Sequence, residues 1–350
     1  MKTQGCHGPA FFDMLLKNHS LYFSFPNFKW YCMDEQSGLP WPLNRNPDLI
    51  NLIASISGEP TRIVTEKLLQ EEQCLGWNVR TELHARKLTP HTWSEDLAQF
   101  YATTNAFLYE TSVWNRRPLK QEIRSWICDY LTISFPQPLK ILAFGDGLGF
   151  DSLQWSRTKH EVTYFEVSTD CIAFAQQVFR NNAAEINMIQ SVAELEPDSF
   201  DVIICLDVLE HVPEPSSLLT DFTNWLKTDG LLITHSPFFL VHSNYSTHLK
   251  SNQKYSGCTK LYTSLGLQPV RSRLFWDPIV LKNTRDPSLR SKIPWSTRVG
   301  GALLAQGRGI NGKIHAFFAQ LKSQGAAHWV DDLKQLLEQE EAGSFDLPPT

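Results

Sequence analysis

The 350-residue chain has no Cys-x-x-Cys pair and no even set of cysteines. Cys6, Cys32, Cys74, Cys128, Cys171, Cys205 and Cys258 are scattered along it, which excludes a disulfide framework and a zinc ribbon and points to reduced, structural thiols. No apolar run approaches the roughly 20 residues that a membrane helix needs, so no membrane span is expected. Nor is there a basic-then-apolar leader. Met1 to Ala10 is polar and Phe11-Phe12 is followed at once by Asp13, so the expected location is cytoplasmic. Basic excess is also missing: the net charge is -5 with a pI near 6.1, so no global field draws the protein to nucleic acid or to an anionic membrane. What remains is a globular composition, 42% hydrophobic and 20% charged, with enough length for a full α/β core and a second unit.

The first sixty residues are aromatic and Pro-rich, with F-S-F-P-N-F-K-W-Y at 23–31 read as irregular. They make either an extended arm packed on the protein or an aromatic lining over an apolar pocket. Helical spacing takes over from Pro47 to Leu75, in two stripes (Leu49, Ile50, Ile53, Ile56; then Ile63, Val64, Leu68, Leu69) separated by Ser57-Gly58-Glu59-Pro60. Ser94-Glu95-Asp96 starts a third expected helix that runs to Trp114, and a fourth covers Leu119 to Leu131. Arg116, Arg117 and Lys120 read as a solvated face.

The centre of the chain is K-I-L-A-F-G-D-G-L-G-F-D-S-L at 140–153. Ile141 to Phe144 is a continuous apolar run, as in a parallel strand buried on both faces, and it ends in glycines at alternate positions. Such a turn needs positive φ or close backbone approach by a ligand. A helix at Asp151–Arg157 and a strand at Glu161–Phe165 follow, the strand ending at Glu166. A carboxylate at that point of an α/β sheet can accept from both hydroxyls of a ribose. Next come an expected helix at Asp170–Asn181, a strand at Asn187–Gln190, a buried strand at Ser199–Leu206, a helix at Leu218–Leu226 capped by Lys227–Gly230, and a strand at Leu231–Thr234. Alternating strands and helices mean a parallel sheet with helices on both faces.

Together residues 139–236 resemble the class I S-adenosylmethionine-dependent methyltransferases. Ile141 to Gly149 is similar to their first motif, and Val162 to Ser168 to the second strand with its acidic ribose ligand. Ser199 to Pro213, containing F-D-V-I-I-C-L-D-V-L-E-H-V, is similar to the fourth strand and its turn, and Gly230 to Pro237 to the fifth. The resemblance implies an α/β, Rossmann-like, mostly parallel seven-stranded sheet completed by an antiparallel hairpin, here Gln268–Leu274 and Pro278–Lys282. It implies S-adenosylmethionine as cofactor and S-adenosylhomocysteine as product, held by Phe144, Gly145, Asp146, Gly147, Gly149, Glu166, Val167, Val192, Ala193, Leu206 and Asp207. Two positions depart from the pattern. Ala143 stands where the first motif usually has an acid, with Asp146 as the candidate replacement, and Gln190, Ser191 or Glu194 must serve where an acid often receives the adenine amino group.

Methyl transfer from a sulfonium is an in-line displacement, so alignment matters most and a base is needed only for a protonated acceptor. His211 and His235 are the expected bases, their imidazoles titrating near neutrality. A second reading takes Asp207-x-x-Glu210-His211 with His248 as ligands of a divalent metal, since some relatives that methylate catechol-like hydroxyls or RNA 3′ ends have a similar set. No N-P-P-Y or D-P-P-Y tetrapeptide follows the fourth strand, which disfavours methylation of planar amide nitrogens. The expected organisation is an N-terminal helical cap at 1–117, the cofactor core at 118–283 and a C-terminal loop and helical extension at 284–350. In the extension a basic loop (Arg285, Arg290, Lys292, Arg298, Arg308) precedes helices at Lys313–Lys322 and Ala327–Glu338. The expected substrate is a small or medium-sized metabolite methylated on O, N or C. A polypeptide substrate, or an idle scaffold that keeps only the cofactor fold, are the alternatives.

Overall fold

The computed structural model describes residues 38–274, 276–288, 292–307 and 328–341. The aromatic arm at 11–31, Arg290, Arg308, the expected helix at 313–322 and the final tail lie outside those residues.

Helices α1 (Asn46–Ser57), α2 (Thr61–Gln73), α3 (Trp77–Ala85), α4 (Glu95–Thr103), α5 (Ala106–Arg116) and α6 (Pro118–Ser134) precede the sheet. The sheet strands are β1 (Lys140–Phe144), β2 (Glu161–Phe165), β3 (Asn187–Ile189), β4 (Phe200–Leu206), β5 (Leu226–His235), β6 (Leu267–Leu274) and β7 (Asp277–Asn283), in the order β3-β2-β1-β4-β5-β7-β6. The first five are parallel, and β7 runs antiparallel to both β5 and β6. Between them lie α7 (Phe150–Ser156), α8 (Thr169–Asn181), α9 (Pro215–Trp225) and α10 (Thr259–Thr263), and α11 (Trp295–Gln306) and α12 (His328–Glu341) follow. This is the expected seven-stranded, Rossmann-like α/β sheet, with helical parts before and after it. No helix among the described residues is long and apolar enough to cross a membrane.

The parallel strands bury both faces, which is why they read as unbroken apolar runs rather than alternations. Leu142, Phe144, Ile203, Cys205 and Leu232 pack with Phe222 and Leu219 of α9 on one side. On the other side Leu49, Ile53, Leu68, Leu108 and Val113 of the leading helices share one cluster with Phe150, Tyr164, Phe174 and Val178. Each such side chain contributes roughly 1.5–3 kcal/mol on burial, so the leading helices are anchored to the sheet layer by many contacts. The strand order reverses between β1 and β4, and the crevice above their carboxyl ends is the usual ligand position in this topology.

Four expectations change. The helix read at Ser94–Trp114 is two helices, because Thr104 is extended (φ -87°, ψ 139°) and its hydroxyl accepts from Ala106 N at 3.2 Å, restarting the chain as α5. Helix α3 was not expected. Buried Glu71 supports its first turn, accepting from Gly76 N and from Asn78 N (3.0 Å). Lys227 to Gly230 is not a helix cap but part of β5, which begins at Leu226 opposite Phe200 and resumes its register after a bulge at Val202. The basic stretch after 283 contains α11, in which Gly301 is a close-packing position rather than a breaker: a Cβ there would lie 2.6 Å from Trp276.

Arg116 and Lys120 are buried rather than solvated. Arg116 donates to Asn46 Oδ1 at 3.0 Å and lies over the Trp329 ring, tying α5 to α12. Arg117 pairs with Glu72 at 2.9 Å.

Candidate active site

A cavity of about 710 Å³ opens over the carboxyl ends of β1, β2 and β4, with the leading helices on its far side. Its floor is the glycine turn. Gly145, Gly147 and Gly149 have φ of 72°, 59° and 77°, and a Cβ on Gly145 would meet Val208 Cγ2 at 2.5 Å, so only glycine fits there without displacing the β4 loop. Tyr164 anchors the turn from below, its hydroxyl donating to Gly147 O at 2.6 Å.

Glu166 holds the turn from β2. Its Oε2 accepts from Gly147 N (2.9 Å) and its Oε1 from Val167 N (2.7 Å) and Ser168 N (3.1 Å). Burial pushes this carboxyl up, and the three backbone donors pull it partly back. A carboxylate offers about four lone-pair positions, so part of its accepting capacity remains for a ligand in the cavity it lines.

Asp146 serves the protein backbone instead. Its Oδ1 accepts from Asp151 N (3.3 Å) and its Oδ2 from Ser152 N (2.7 Å), capping α7, and burial together with the Asp151 carboxylate lifts it to about 7. The Ser191 hydroxyl accepts from Ala193 N (3.2 Å), and Glu194 accepts from Gln190 N (2.9 Å) and Ser191 N (2.8 Å) in a capping box, so those groups are spent on a local turn.

Phe144, Gly145, Asp146, Gly147, Glu166, Val167, Leu206 and Asp207 are all brought to the cavity wall. Gly149, Val192 and Ala193 are not. Gly149 is packed against Phe179 and Ala175, while Val192 is 41% exposed on the 3-10 turn Val192–Glu194.

Asp207 ends β4 in the left-handed region (φ 59°). The Trp114 indole donates to its Oδ2 at 3.0 Å, Lys120 Nζ stands 3.7 Å from the same oxygen, and His235 Nε2 is 3.4 Å from Oδ1. His235 Nδ1 is 3.6 Å from Asp277. Burial alone would lower the His235 pKa, but the Asp207 and Asp277 carboxylates outweigh it and raise it. His235 is therefore held towards its cationic form, which suits orienting Asp207 better than taking a proton.

His211 is the opposite case. Burial pulls it down to about 4, leaving a neutral imidazole. The Thr247 carbonyl can only accept, so Nδ1 carries the proton and donates to it (3.2 Å) and to the Tyr101 hydroxyl oxygen (2.8 Å). The bare Nε2 then faces Glu210, 3.9 Å away. Glu210 is 1% exposed and neither carboxyl oxygen has a hydrogen-bond partner; burial and the nearby Asp207 push its pKa well up. His248 Nδ1 is buried and also unpartnered. Glu210, His211 and His248 bring ligand atoms within 4.8 Å of one another.

Further groups complete the walls: Trp93, Tyr101, Phe107, Trp114 and Phe239 as aromatic surface, with Glu110 and Lys120 as titratable groups. Lys120 and Arg124 had one legible signal, since both fall on the stripe of α6 that carries Ile123, Ile127 and Leu131. A charge on an apolar stripe must find a buried partner. Both pair with Asp151, at 2.9 and 2.5 Å, and these cations hold that carboxylate down to about 2 against the effect of burial.

Residues 142–234 match the family described as "Methyltransferase domain". A ubiquinone biosynthesis O-methyltransferase of Neisseria meningitidis serogroup C is 34% identical over 73 residues, covering 20% of this chain and 29% of that protein. The like-named protein of Glaesserella parasuis is 34% identical over 101 residues, covering 27% and 43%. The chain thus spans less than half the length of these relatives. Among solved structures, magnesium protoporphyrin IX methyltransferase from Synechocystis with bound S-adenosylmethionine has a TM-score of 0.36 and 21% identity, covering 47% of this chain and 78% of that one.

Proposed function

We propose that the protein is an S-adenosylmethionine-dependent methyltransferase that methylates a small molecule within the cavity between the leading helices and the sheet. The observation that carries this reading is the shared wall: the glycine turn, Glu166 and Asp207 border the same space as a neutral histidine and an aromatic surface. The residues fit the cofactor by two features. The Gly145 cradle leaves no room for a Cβ, and the carboxyl groups facing the cavity suit a ligand bearing a sulfonium cation.

S-adenosylmethionine supplies an electrophilic methyl group on sulfur. The chain's own contribution is placement and exclusion of water. Glu166 would accept from the ribose, the glycine turn and Asp207 would receive the amino-acid end, and Trp93, Tyr101, Phe107 and Phe239 would enclose the acceptor. His211 Nε2 is the atom that would take a proton from an acceptor hydroxyl, with the Thr247 carbonyl steadying the proton on Nδ1 and Glu210 beside the new cation. We assign His235 to holding Asp207. The division at 117 and 283 belongs to the same proposal, with the described helices before residue 117 covering the acceptor.

The buried, unpartnered Glu210 oxygens and His248 Nδ1 favour a metal-assisted form of the reaction. In that form His211 Nε2 would be a metal ligand and not the base: one carboxylate and two neutral imidazoles are an ordinary donor set for Zn²⁺, Mn²⁺ or Fe²⁺, and a cation there would stabilise the ionised form of the unpartnered, buried Glu210. Such an ion would lower the pKa of an acceptor hydroxyl. An oxygen acceptor agrees with the names of the relatives above.

The test is turnover of methyl-labelled S-adenosylmethionine with a panel of phenols, catechols, amines and peptides, before and after exhaustive chelation. Methylation of small hydroxylated aromatics supports the reading, and loss of turnover on chelation with rescue by one metal supports the metal form. Exclusive peptide methylation would establish the polypeptide alternative. A folded protein that binds neither S-adenosylmethionine nor S-adenosylhomocysteine would refute the enzyme reading and leave the idle scaffold.

A further inference from the structure

Helix α5 turns one face to the cavity: Phe107, Glu110, Thr111 and Trp114, spaced three and four residues apart, all border it. Trp114 is spent on Asp207, 3.0 Å away. Glu110 is spent on nothing, since its carboxyl makes no hydrogen bond and no ion pair with any described residue. The acid nearest it, Glu71, is already filled by the backbone N–H groups of Gly76 and Asn78 and by the Asn78 side chain at 2.7 Å. Burial, then the Glu71 and Asp207 carboxyl groups, push the Glu110 pKa well above the usual carboxylate range. It is therefore a neutral acid on the cavity wall whose O–H finds no acceptor in the described chain.

A second unspent donor comes from the loop after β5. The Tyr245 hydroxyl also borders the cavity and makes no hydrogen bond with any described residue; burial and then Glu110 push this phenol up to about 12, so it too keeps its proton. The loop is fixed: Tyr245 N donates to His242 O at 2.8 Å, and His91 clasps the far side, its N donating to Ser246 O at 2.8 Å and its Nδ1 to His248 O at 2.9 Å. The two donors are neighbours, because a Cβ on Gly76 would lie 3.5 Å from Glu110 Oε1 and also against the carbonyl of Asn244, the residue before Tyr245. They stand at the reacting end as well. The Tyr245 ring packs on His248 with centroids 5.3 Å apart, and His248 on His211 at 4.6 Å.

We infer that Glu110 and Tyr245 are the specificity-determining pair of the acceptor site, both donating to the carbonyl oxygen of an aromatic acceptor whose hydroxyl is methylated. The inference rests on the methyl-transfer reading above and deepens it by naming the acceptor class. A carbonyl oxygen fits two unspent donors because it accepts twice and brings no proton that needs a third partner. A neutral carboxylic acid working beside a tyrosine is a known way to hold an oxygen as it gains negative charge. The acceptor hydroxyl gives its proton to His211 Nε2, or to water in the metal-assisted form; its oxygen pair then bonds the methyl carbon, and the carbon–sulfur pair stays on sulfur. An oxygen conjugated with the carbonyl shares its negative charge with the carbonyl oxygen, where Glu110 and Tyr245 stabilise it. Trp93, Tyr101, Phe107 and Phe239 supply the apolar surface for the ring. An acceptor bearing an ammonium group would use Glu110 as an anion instead, and the experiment separates the two.

The experiment is calorimetry on protein saturated with S-adenosylhomocysteine, titrated with three catechols that differ in one substituent: 3,4-dihydroxyacetophenone (carbonyl), 4-ethylcatechol (methylene) and dopamine (ammonium). The wild-type protein should bind the ketone at least about fivefold more tightly than the ethyl compound. Glu110→Leu should cut that ratio at least about threefold, and Tyr245→Phe by a similar factor. Glu110→Gln, which keeps an N–H donor but no charge, should retain most of it. Affinity for S-adenosylhomocysteine serves as the check that each variant is folded. The inference is overturned if the saturated wild-type protein binds the ketone and the ethyl compound equally or binds none of the three, results that need no variant to fold. It is also overturned if dopamine is preferred and Glu110→Gln loses as much as Glu110→Leu, which would make Glu110 an anion for an amine. Wild-type protein that does not bind S-adenosylhomocysteine refutes the methyltransferase reading itself.

Discussion

Glu166 holds the glycine turn and is proposed to hold the ribose as well, and Glu166→Gln tests both roles. The carboxylate accepts three backbone N–H groups, one on Oε2 from Gly147 at 2.9 Å and two on Oε1 from Val167 and Ser168 at 2.7 and 3.1 Å. Glutamine keeps one oxygen, which can stay on Val167 and Ser168. Its amide nitrogen is then turned on the Gly147 N–H, donor against donor, and the turn loses a charge-assisted bond of about 1.5–3 kcal/mol. A ribose hydroxyl would lose its anionic acceptor at the same time. Affinity for S-adenosylmethionine should therefore fall by about 10- to 150-fold, or roughly 1.4–3 kcal/mol, while the unliganded protein melts lower by a comparable free energy. Titration calorimetry with S-adenosylmethionine and with adenosine, beside thermal denaturation of the unliganded protein, measures both. A protein that melts lower yet binds with unchanged affinity would refute the ribose assignment and leave Glu166 as an anchor of the turn alone.

Gly149→Ala should destabilise the fold by about 2–4 kcal/mol in denaturant titration, since φ is 77° and the new Cβ would lie 2.6 Å from Phe179 and 2.9 Å from Ala175. Asp146, lifted to about 7 in the folded chain, keeps a proton that the unfolded chain loses near pH 4. Its contribution to stability is complete below about pH 4 and declines as pH rises to about 7, so melting temperatures of Asp146→Asn across this window should slope less downward with pH than those of the wild type. His211 acts with the opposite sign: burial lowers it to about 4, so its contribution is lost as pH falls from about 6.5 to about 4, and His211→Asn should resist acid better in the same melts. Tyr101→Phe removes one acceptor of the His211 N–H and should cost about 0.5–1.5 kcal/mol of stability, with an effect on turnover if His211 takes the acceptor's proton.

The strands were legible because a doubly covered parallel strand needs apolar side chains on both faces, which leaves runs such as Ile141–Phe144 and Val202–Leu206 that depend on no distant residue. The glycine turn and Glu166 were legible for a related reason: positive φ and a carboxylate at a strand end are local demands. Helix α3 and the break at Thr104 were not, because each is settled by backbone N–H groups donating to a nearby side chain, two to Glu71 and one to Thr104, against weak periodicity. The start of β5 was hidden because Lys227 to Gly230 has turn chemistry, and only pairing with β4 across a bulge makes it strand.

The charges of the site follow the same division. Residue types and spacing brought His211, His235 and Asp207 forward as titratable groups near the end of β4. Their protonation was decided by what folding placed beside them: two carboxylates around His235, and a carbonyl, a tyrosine and burial around His211. Lys120 read as solvated along the helix and became, with Arg124, a buried pair on Asp151, because α6 lies against α7. Backbone conformation is written in short stretches of sequence. Electrostatic environment depends on distance through space, and residues 120, 151 and 207 meet only when the chain is folded.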